Sequence, residues 1–142
     1  SKVAVVYWSG TGNTEAMANK VAEGAKAAGA EVEVISADDF DGTDISSFDG
    51  VAFGCPAMGD EVLEDTEFEP MFDGCKDALK GKNIALFGSY GWGDGEWMRT
   101  LTERMEQAGA QIVGGEGLIC HGTPGADAID ECESLGREVA GL

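Results

Sequence analysis

Apolar positions along the chain fall into two alternating kinds of segment. Short runs rich in β-branched residues have strand length: VAVVYW (Val3–Trp8), VEVIS (Val32–Ser36), VAFG (Val51–Gly54) and IALFGS (Ile84–Ser89). A fifth run, IVGGEGLIC (Ile112–Cys120), has the same character diluted by glycine. Between the runs and after the last, apolar residues recur at helical spacing over Thr14–Ala28, Trp97–Ala108 and Ala126–Val139. Gly29 and Gly109 stand where a left-handed C-terminal cap belongs, and a strand pattern follows each. This alternation predicts an α/β fold: a doubly wound, five-stranded parallel sheet between two helical layers, joined by right-handed crossovers. VAVV and IALF are apolar without alternation, as strands buried on both faces are. The acidic stretch Asp38–Asp49 reads as a solvated connection with a short helical turn at most. As a calcium loop it fails, because setting Gly42 at the turn glycine leaves Ala37 where the first acidic ligand belongs.

In such a sheet ligands bind in the crevice at the carboxyl ends of the strands. Four segments fall there: Ser9–Thr14, Cys55–Glu61, Ser89–Gly95 and Cys120–Gly125. The total of 142 residues, 43% of them hydrophobic, suits one domain spanning 1–142. The formal charge of −18 comes from 9 Lys and Arg against 27 Asp and Glu. Such a surface repels nucleic-acid backbones and anionic membranes, so a macromolecular partner should be basic where it docks. The four cysteines, Cys55, Cys75, Cys120 and Cys132, show no C-x-x-C spacing, and His121 is the only histidine. A zinc or iron–sulfur centre is not expected from that set, and buried thiols in a reducing cytosol are. The run Val3–Trp8 is too short for a secretory signal core, and no run approaches the ~20 apolar residues that span a bilayer. The expectation is a soluble, cytoplasmic protein.

Ser9-Gly10-Thr11-Gly12-Asn13-Thr14 follows the first strand and opens a helix, as phosphate loops do, yet no Lys or Arg lies between Lys2 and Lys20. The lysine of a nucleoside-triphosphate loop is missing, and Glu15 stands where the dinucleotide pattern needs its third glycine. What remains is a set of neutral donors: three hydroxyls, one side-chain amide and backbone N–H groups converging on a helix N-terminus. The helix end contributes only about 0.3–1 kcal/mol toward an anion at an exposed site. Charge-assisted hydrogen bonds, roughly 1.5–3 kcal/mol each, must then hold it. A terminal monoester phosphate fits; the alternative is a strand-to-helix turn whose hydroxyls only cap.

After Ala57, Met58-Gly59-Asp60-Glu61 forms a tight-turn candidate with Gly59 at a positive-φ position. Ser89-Tyr90-Gly91-Trp92-Gly93 ends a buried strand and sets two aromatic rings among glycines. Trp92 is placed to stack on a planar ligand, the alternative being a ring folded back onto the core. Trp8 and Trp97 read as packing residues. Together the loops describe a slot that clamps a flat heteroaromatic between Met58 and Trp92, with a tail running to a phosphate at Ser9–Thr14. That ligand is FMN.

The stretches SGTGNT, CPAMGDEVLED and FGSYGWGDGEWM, in this order and spacing, resemble the flavodoxins, above all the short-chain clostridial type, which lacks a long insertion near strand five. The resemblance runs over nearly the whole chain. It implies the strand order 2-1-3-4-5 and a low-potential, monomeric electron carrier rather than an enzyme. FMN would cycle between a neutral semiquinone and an anionic hydroquinone, delivering electrons to redox partner proteins with basic docking surfaces. Carried over residue by residue, Ser9, Thr11, Asn13 and Thr14 with the amides of Gly10 and Gly12 bind the phosphate. Trp92 covers the outer face of the ring, Met58 the inner, and Glu61 accepts from the flavin N3–H. Backbone groups at Gly59 and Gly91 meet the polar edge, and the Gly59–Asp60 peptide can turn its carbonyl toward a proton on N5. The cofactor set is completed by Ala57, Asp60, Ser89, Tyr90 and Gly93. Two other uses of the fold fit less well. A receiver domain needs acids where Trp8-Ser9-Gly10 stand, and a flavin enzyme acting on a quinone needs a general acid, for which His121 is the only histidine.

Overall fold

The computed structural model describes residues 1–141; Leu142, the last residue of the expected domain, lies outside the described residues. Strand β1 (Lys2–Tyr7) is followed by helix α1 (Asn13–Ala27), β2 (Glu31–Ser36), β3 (Gly50–Gly54), α2 (Phe68–Cys75) and β4 (Asn83–Tyr90). Then come α3 (Glu96–Gln107), β5 (Gln111–Ile112), β6 (Leu118–His121) and α4 (Ala126–Ala140). Every pairing between the strands is parallel, in the order β2-β1-β3-β4-β5 with β6 also on β4. This is the expected 2-1-3-4-5 sheet with its fifth strand in two pieces. Ile84 pairs with Ile112 and Phe87 with Leu118, so three steps along β4 (87 − 84) face six along the fifth strand (118 − 112). The surplus loops out at Gly114 and Gly115, at φ 78° and 82°, a conformation most residues resist.

The near-continuous apolar strands are buried on both faces. Val3 and Val5 pack with Met17, Val21, Leu135 and Val139 of α1 and α4. Ala4 and Val6 face the opposite layer with Phe68, Phe72, Leu101 and Met105 of α2 and α3. Gly29 and Gly109 take φ 99° and 93° after α1 and α3, as the cap positions require.

Two segments depart from the sequence reading. Asp38–Asp49 is more than a solvated link: it carries short 3-10 turns at Ala37–Asp39 and Ile45–Ser47, and Phe40, Ile45 and Phe48 are buried in the core. Acidic side chains point outward while these three apolar ones close the sheet against α2. Helix α2 is absent from the pattern of apolar positions. Its eight residues include Pro70, tolerable in a first turn where no donor is needed, and they begin under a cap made by Glu64. The Glu64 carboxylate accepts from the amides of Thr66, Glu67 and Phe68, each at 2.8 Å, and from the Thr66 hydroxyl. The four cysteines are free and buried, and burial pushes Cys55, Cys75 and Cys132 up to about 12.

Candidate functional site

The ladder that joins the central strands runs a little past their ends and then releases three loops at one edge. Trp8 N–H donates to Gly54, Cys55 N–H to Phe87 and Ala57 N–H to Ser89, so Ser9, Met58 and Tyr90 emerge side by side. Between them opens a cleft of about 240 Å³ lined by Trp8, Gly10, Thr11, Asn13, Pro56, Ala57, Met58, Ser89, Tyr90, Gly91 and Gly122. A larger cleft, about 450 Å³, lies between α4 and the split fifth strand. Its wall carries Glu116, Asp130, Glu131 and Glu138, which oppose an anionic ligand. Among the described residues no group of His, Cys, Asp and Glu has a metal-binding arrangement.

The first loop is closed by its own serine. Ser9 Oγ accepts from the amides of Gly12, at 3.1 Å, and Glu15, at 3.2 Å. Gly12 takes φ 96° as the helix begins. Among the described residues no protein acceptor meets the amides of Gly10, Thr11, Asn13 and Thr14, whereas the Gly12 amide, expected to face the ligand, is spent on Ser9; Thr11 is exposed. The loop thus offers four backbone donors and a hydroxyl at a helix N-terminus, the arrangement that binds a phosphate. Thr14 sits differently from the rest: it is buried, and its Oγ1 lies 2.9 Å from Oγ of Ser89, one hydroxyl donating to the other. The Ser89 amide adds a 3.3 Å bond to the same oxygen, so these two residues tie the first loop to the third. Carboxylates stand nearby. Glu15 accepts from the Tyr7 phenol at 2.8 Å, and that bond, with burial and the glutamate charge, raises the phenol above its ordinary range.

Trp8 is half-buried and contributes to the cleft wall, where packing alone was expected; its indole N–H donates to Glu67 at 2.9 Å. Trp97 is a core residue, as expected, fully buried and donating to the Cys55 carbonyl at 2.8 Å.

In the second loop Met58 and Val62 exchange both backbone hydrogen bonds at 2.9 Å, leaving Gly59, Asp60 and Glu61 as the turn. Gly59 has φ 48°, the positive value expected, and Glu61 follows at φ 56°, unusual for a side chain with a Cβ. The Glu61 position has a cause. Its Oε1 accepts from the amides of Asp94, Gly95 and Glu96 at 3.1, 2.9 and 3.0 Å, capping the N-terminus of α3. Its Oε2 makes no hydrogen bond to the described residues. Glu61 therefore fastens the second loop to the third and still presents one carboxylate oxygen.

In the third loop Trp92 is 63% exposed, so its ring does not fold onto the core. Tyr90 turns inward, its ring centroid 5.5 Å from that of Trp97 and 5.1 Å from the ring of His121. His121, Gly122 and Thr123 at the end of β6 complete the site, and the sequence reading assigned none of them a role. Gly122 N–H donates to Tyr90 O at 2.9 Å, His121 Nε2 lies 3.1 Å from Gly91 O, and Thr123 Oγ1 donates to Asn13 Oδ1 at 3.3 Å. Only their place after the fifth strand marked them.

These residues fit FMN. Neutral donors gather at one end of the cleft; Trp8, Pro56, Ala57, Met58 and Tyr90 give it apolar walls; and Trp92 stands free beside it. A sequence model of the family Flavodoxin matches residues 5–135. The flavodoxin of Megasphaera elsdenii is 49% identical over 138 residues, 97% of this chain and 98% of that protein. That of Clostridium beijerinckii is 44% identical, covering 97% and 99%. The solution structure of two-electron reduced Megasphaera elsdenii flavodoxin superposes with a TM-score of 0.89 at 47% identity over 99% of both chains. Agreement over this much of the chain, on a sheet of this order with these loops at its carboxyl edge, makes the chain a member of the flavodoxin family.

Proposed function

We propose that the chain carries electrons one at a time, at low potential, on a noncovalently held FMN, with residues 1–142 acting as a single flavin-binding domain. The observation that carries this reading is the cleft, whose lining includes Gly10, Thr11 and Asn13, their amides unpartnered among the described residues, and Gly91, the residue before the exposed Trp92. Bound FMN supplies two successive one-electron steps at its ring.

The residues divide the work of holding it. Ser9 shapes the first loop, and the amides of Gly10, Thr11, Asn13 and Thr14 with the Thr11 hydroxyl receive the phosphate. Met58 and Trp92 take the two faces of the ring. Glu61 Oε2 is the acceptor available to the ring N3–H, held in place by the three amides on Oε1. The Gly59 carbonyl is the acceptor available to a proton on N5, in a turn whose φ of 48° suits a residue without a Cβ.

Low potential follows from charge. Asp60, Glu61, Asp94 and Glu96 cluster around the second and third loops, and the nearby Arg99 is already paired with Asp94 at 2.9 Å. Negative charge added to a ring among carboxylates and apolar walls is disfavoured. The same acidic surface would steer basic patches of redox partners into short-lived encounters. A reducing cytosol suits its free thiols.

The test is an absorption spectrum of purified protein through stepwise dithionite reduction. Flavin bands with a transient long-wavelength absorbance are expected. A colourless protein whose apo form takes up no added FMN would overturn the reading.

A further inference from the structure

His121 ends β6, in register with Tyr90 at the end of β4. Its ring packs on the Tyr90 ring with centroids 5.1 Å apart, and Tyr90 is held in turn against the buried Trp97. That packing leaves Nε2 3.1 Å from the carbonyl oxygen of Gly91. A carbonyl only accepts, so Nε2 carries the proton and donates, as both the neutral Nε2–H tautomer and the imidazolium do.

Gly91 is the residue before Trp92, and a Cβ placed on it would meet nothing within 4 Å. Gly91 itself therefore has no side-chain packing to hold it, whereas Gly93 lies against the Glu61 side chain; on the Gly91 side the fixed points are hydrogen bonds. On one side Gly122 N–H binds Tyr90 O and His121 binds Gly91 O. On the other, Glu61 gathers the amides of Asp94, Gly95 and Glu96. Trp92 and Gly93 are what remains between the two anchors. Without the His121 bond the nearest tie before Trp92 moves back to Tyr90, and the Gly91 peptide is released.

We propose that His121 is a positioning residue: through Gly91 it fixes the peptide that carries Trp92 and so holds the indole ready for a flat ligand. The inference rests on the reading of Trp92 as the outer wall of the flavin site. Held in advance, the ring loses less freedom on binding, and affinity gains by that amount.

Three variants test it. His121→Phe keeps a ring on Tyr90 and removes the donor, His121→Gln keeps a donor, and His121→Phe is repeated in a Trp92→Ala background. In the apoprotein, nitrogen relaxation of the Trp92 indole and of the Trp92 and Gly93 amides should show greater motion in His121→Phe and near-normal motion in His121→Gln. FMN added to apoprotein should bind His121→Phe about 2- to 5-fold more weakly, the lower part of the range for one net hydrogen bond at an exposed site. In the Trp92→Ala background the same change should have no further effect, because the ring it positions is gone. Equal weakening in both backgrounds, or unchanged Trp92 motion in His121→Phe, would overturn the proposal. The relaxation measurement needs no flavin, so failure of wild-type apoprotein to bind FMN would strike the functional reading alone.

Discussion

The proposed site gives Glu61 two jobs, one for each carboxylate oxygen, and substitution separates them. Oε1 caps α3 through three amides, while Oε2 is free to meet the ring N3–H. Glu61→Ala removes the cap. Loss of an N-terminal cap costs about 0.5–2 kcal/mol, and three amides on a charged oxygen place this one at about 1–2 kcal/mol. At roughly 3–4 °C per kcal/mol for a chain of this size, the apoprotein midpoint should fall by about 3–8 °C. Glu61→Gln keeps an oxygen for α3 and gives up only the charge at the helix N-terminus, about 0.3–1 kcal/mol. Stability should therefore rank wild type, then Glu61→Gln, then Glu61→Ala.

For FMN the order changes. In Glu61→Gln the three donors of α3 demand the oxygen of the new side-chain amide, which turns its NH₂ toward the ring N3–H, donor against donor. An unmade hydrogen bond of that kind costs about 1–3 kcal/mol, roughly a 5- to 150-fold loss of affinity. Glu61→Ala leaves room for water instead and should bind FMN no worse than Glu61→Gln. Thermal unfolding of the apoproteins and fluorescence titration with FMN measure the two scales. An unshifted midpoint in Glu61→Ala, or wild-type affinity in Glu61→Gln, would refute the division of labour between the oxygens.

Gly59→Ala should lower the first reduction potential by about 20–60 mV in a redox titration, the equivalent of one net hydrogen bond of about 0.5–1.5 kcal/mol to the proton on N5. Raising the salt concentration should raise the second potential modestly by screening the acidic surface, and complete salt independence would assign control to local burial. Gly136→Ala should cost about 1–3 kcal/mol in thermal unfolding although alanine is the better helix former, because its Cβ would stand 2.0 Å from the Val21 carbonyl oxygen where α4 meets α1. Glu64 gives a pH dependence: burial opposes its charge, but the Thr66 hydroxyl and the three capping amides overcome that and hold its pKa below the ordinary value. A carboxyl depressed in the folded state stabilises above its unfolded pKa and loses that contribution as pH falls through the folded one. Glu64→Gln should therefore be less stable than wild type at neutral pH, and the gap in denaturant midpoints should close in acid.

The parts of the fold written in contiguous residues were legible. VAVVYW and IALFGS carry their burial in four or more adjacent apolar positions, and α1 carries its amphipathic stripe over fifteen residues. Helix α2 is only eight residues long and includes Pro70 and Gly74, so no stripe builds up; its start is set by Glu64, a cap that reads in sequence as one more acid. The stretch 38–49 misled for a related reason, since its acids outnumber Phe40, Ile45 and Phe48 while the core depends on those three. The split of the fifth strand was present only as the glycines Gly114 and Gly115. The loops of the site were legible for the same reason as the strands, each being a compact run. Their cross-links were not: Thr14 to Ser89 spans 75 residues, Asn13 to Thr123 spans 110, and His121 to Gly91 spans 30. Such pairs are decided by which strands are neighbours, and no local pattern records that.

The cross-links also give a reason why the proposed phosphate loop can do without a cation. Ser9 closes the loop from inside, and Thr14 with Ser89 braces it against β4, so the remaining amides stand in place before any ligand arrives. Donors already in place lose little order on binding, which lets neutral hydrogen bonds do what a lysine does elsewhere. The neutrality matters for the electron. A unit positive charge about 10 Å from a flavin ring, at an effective dielectric of about 20, stabilises each added electron by about 1.7 kcal/mol, near 70 mV. A lysine in the first loop would hold the phosphate and raise the potentials together; in the proposed site amides and a hydroxyl would hold it and leave the ring a strong reductant.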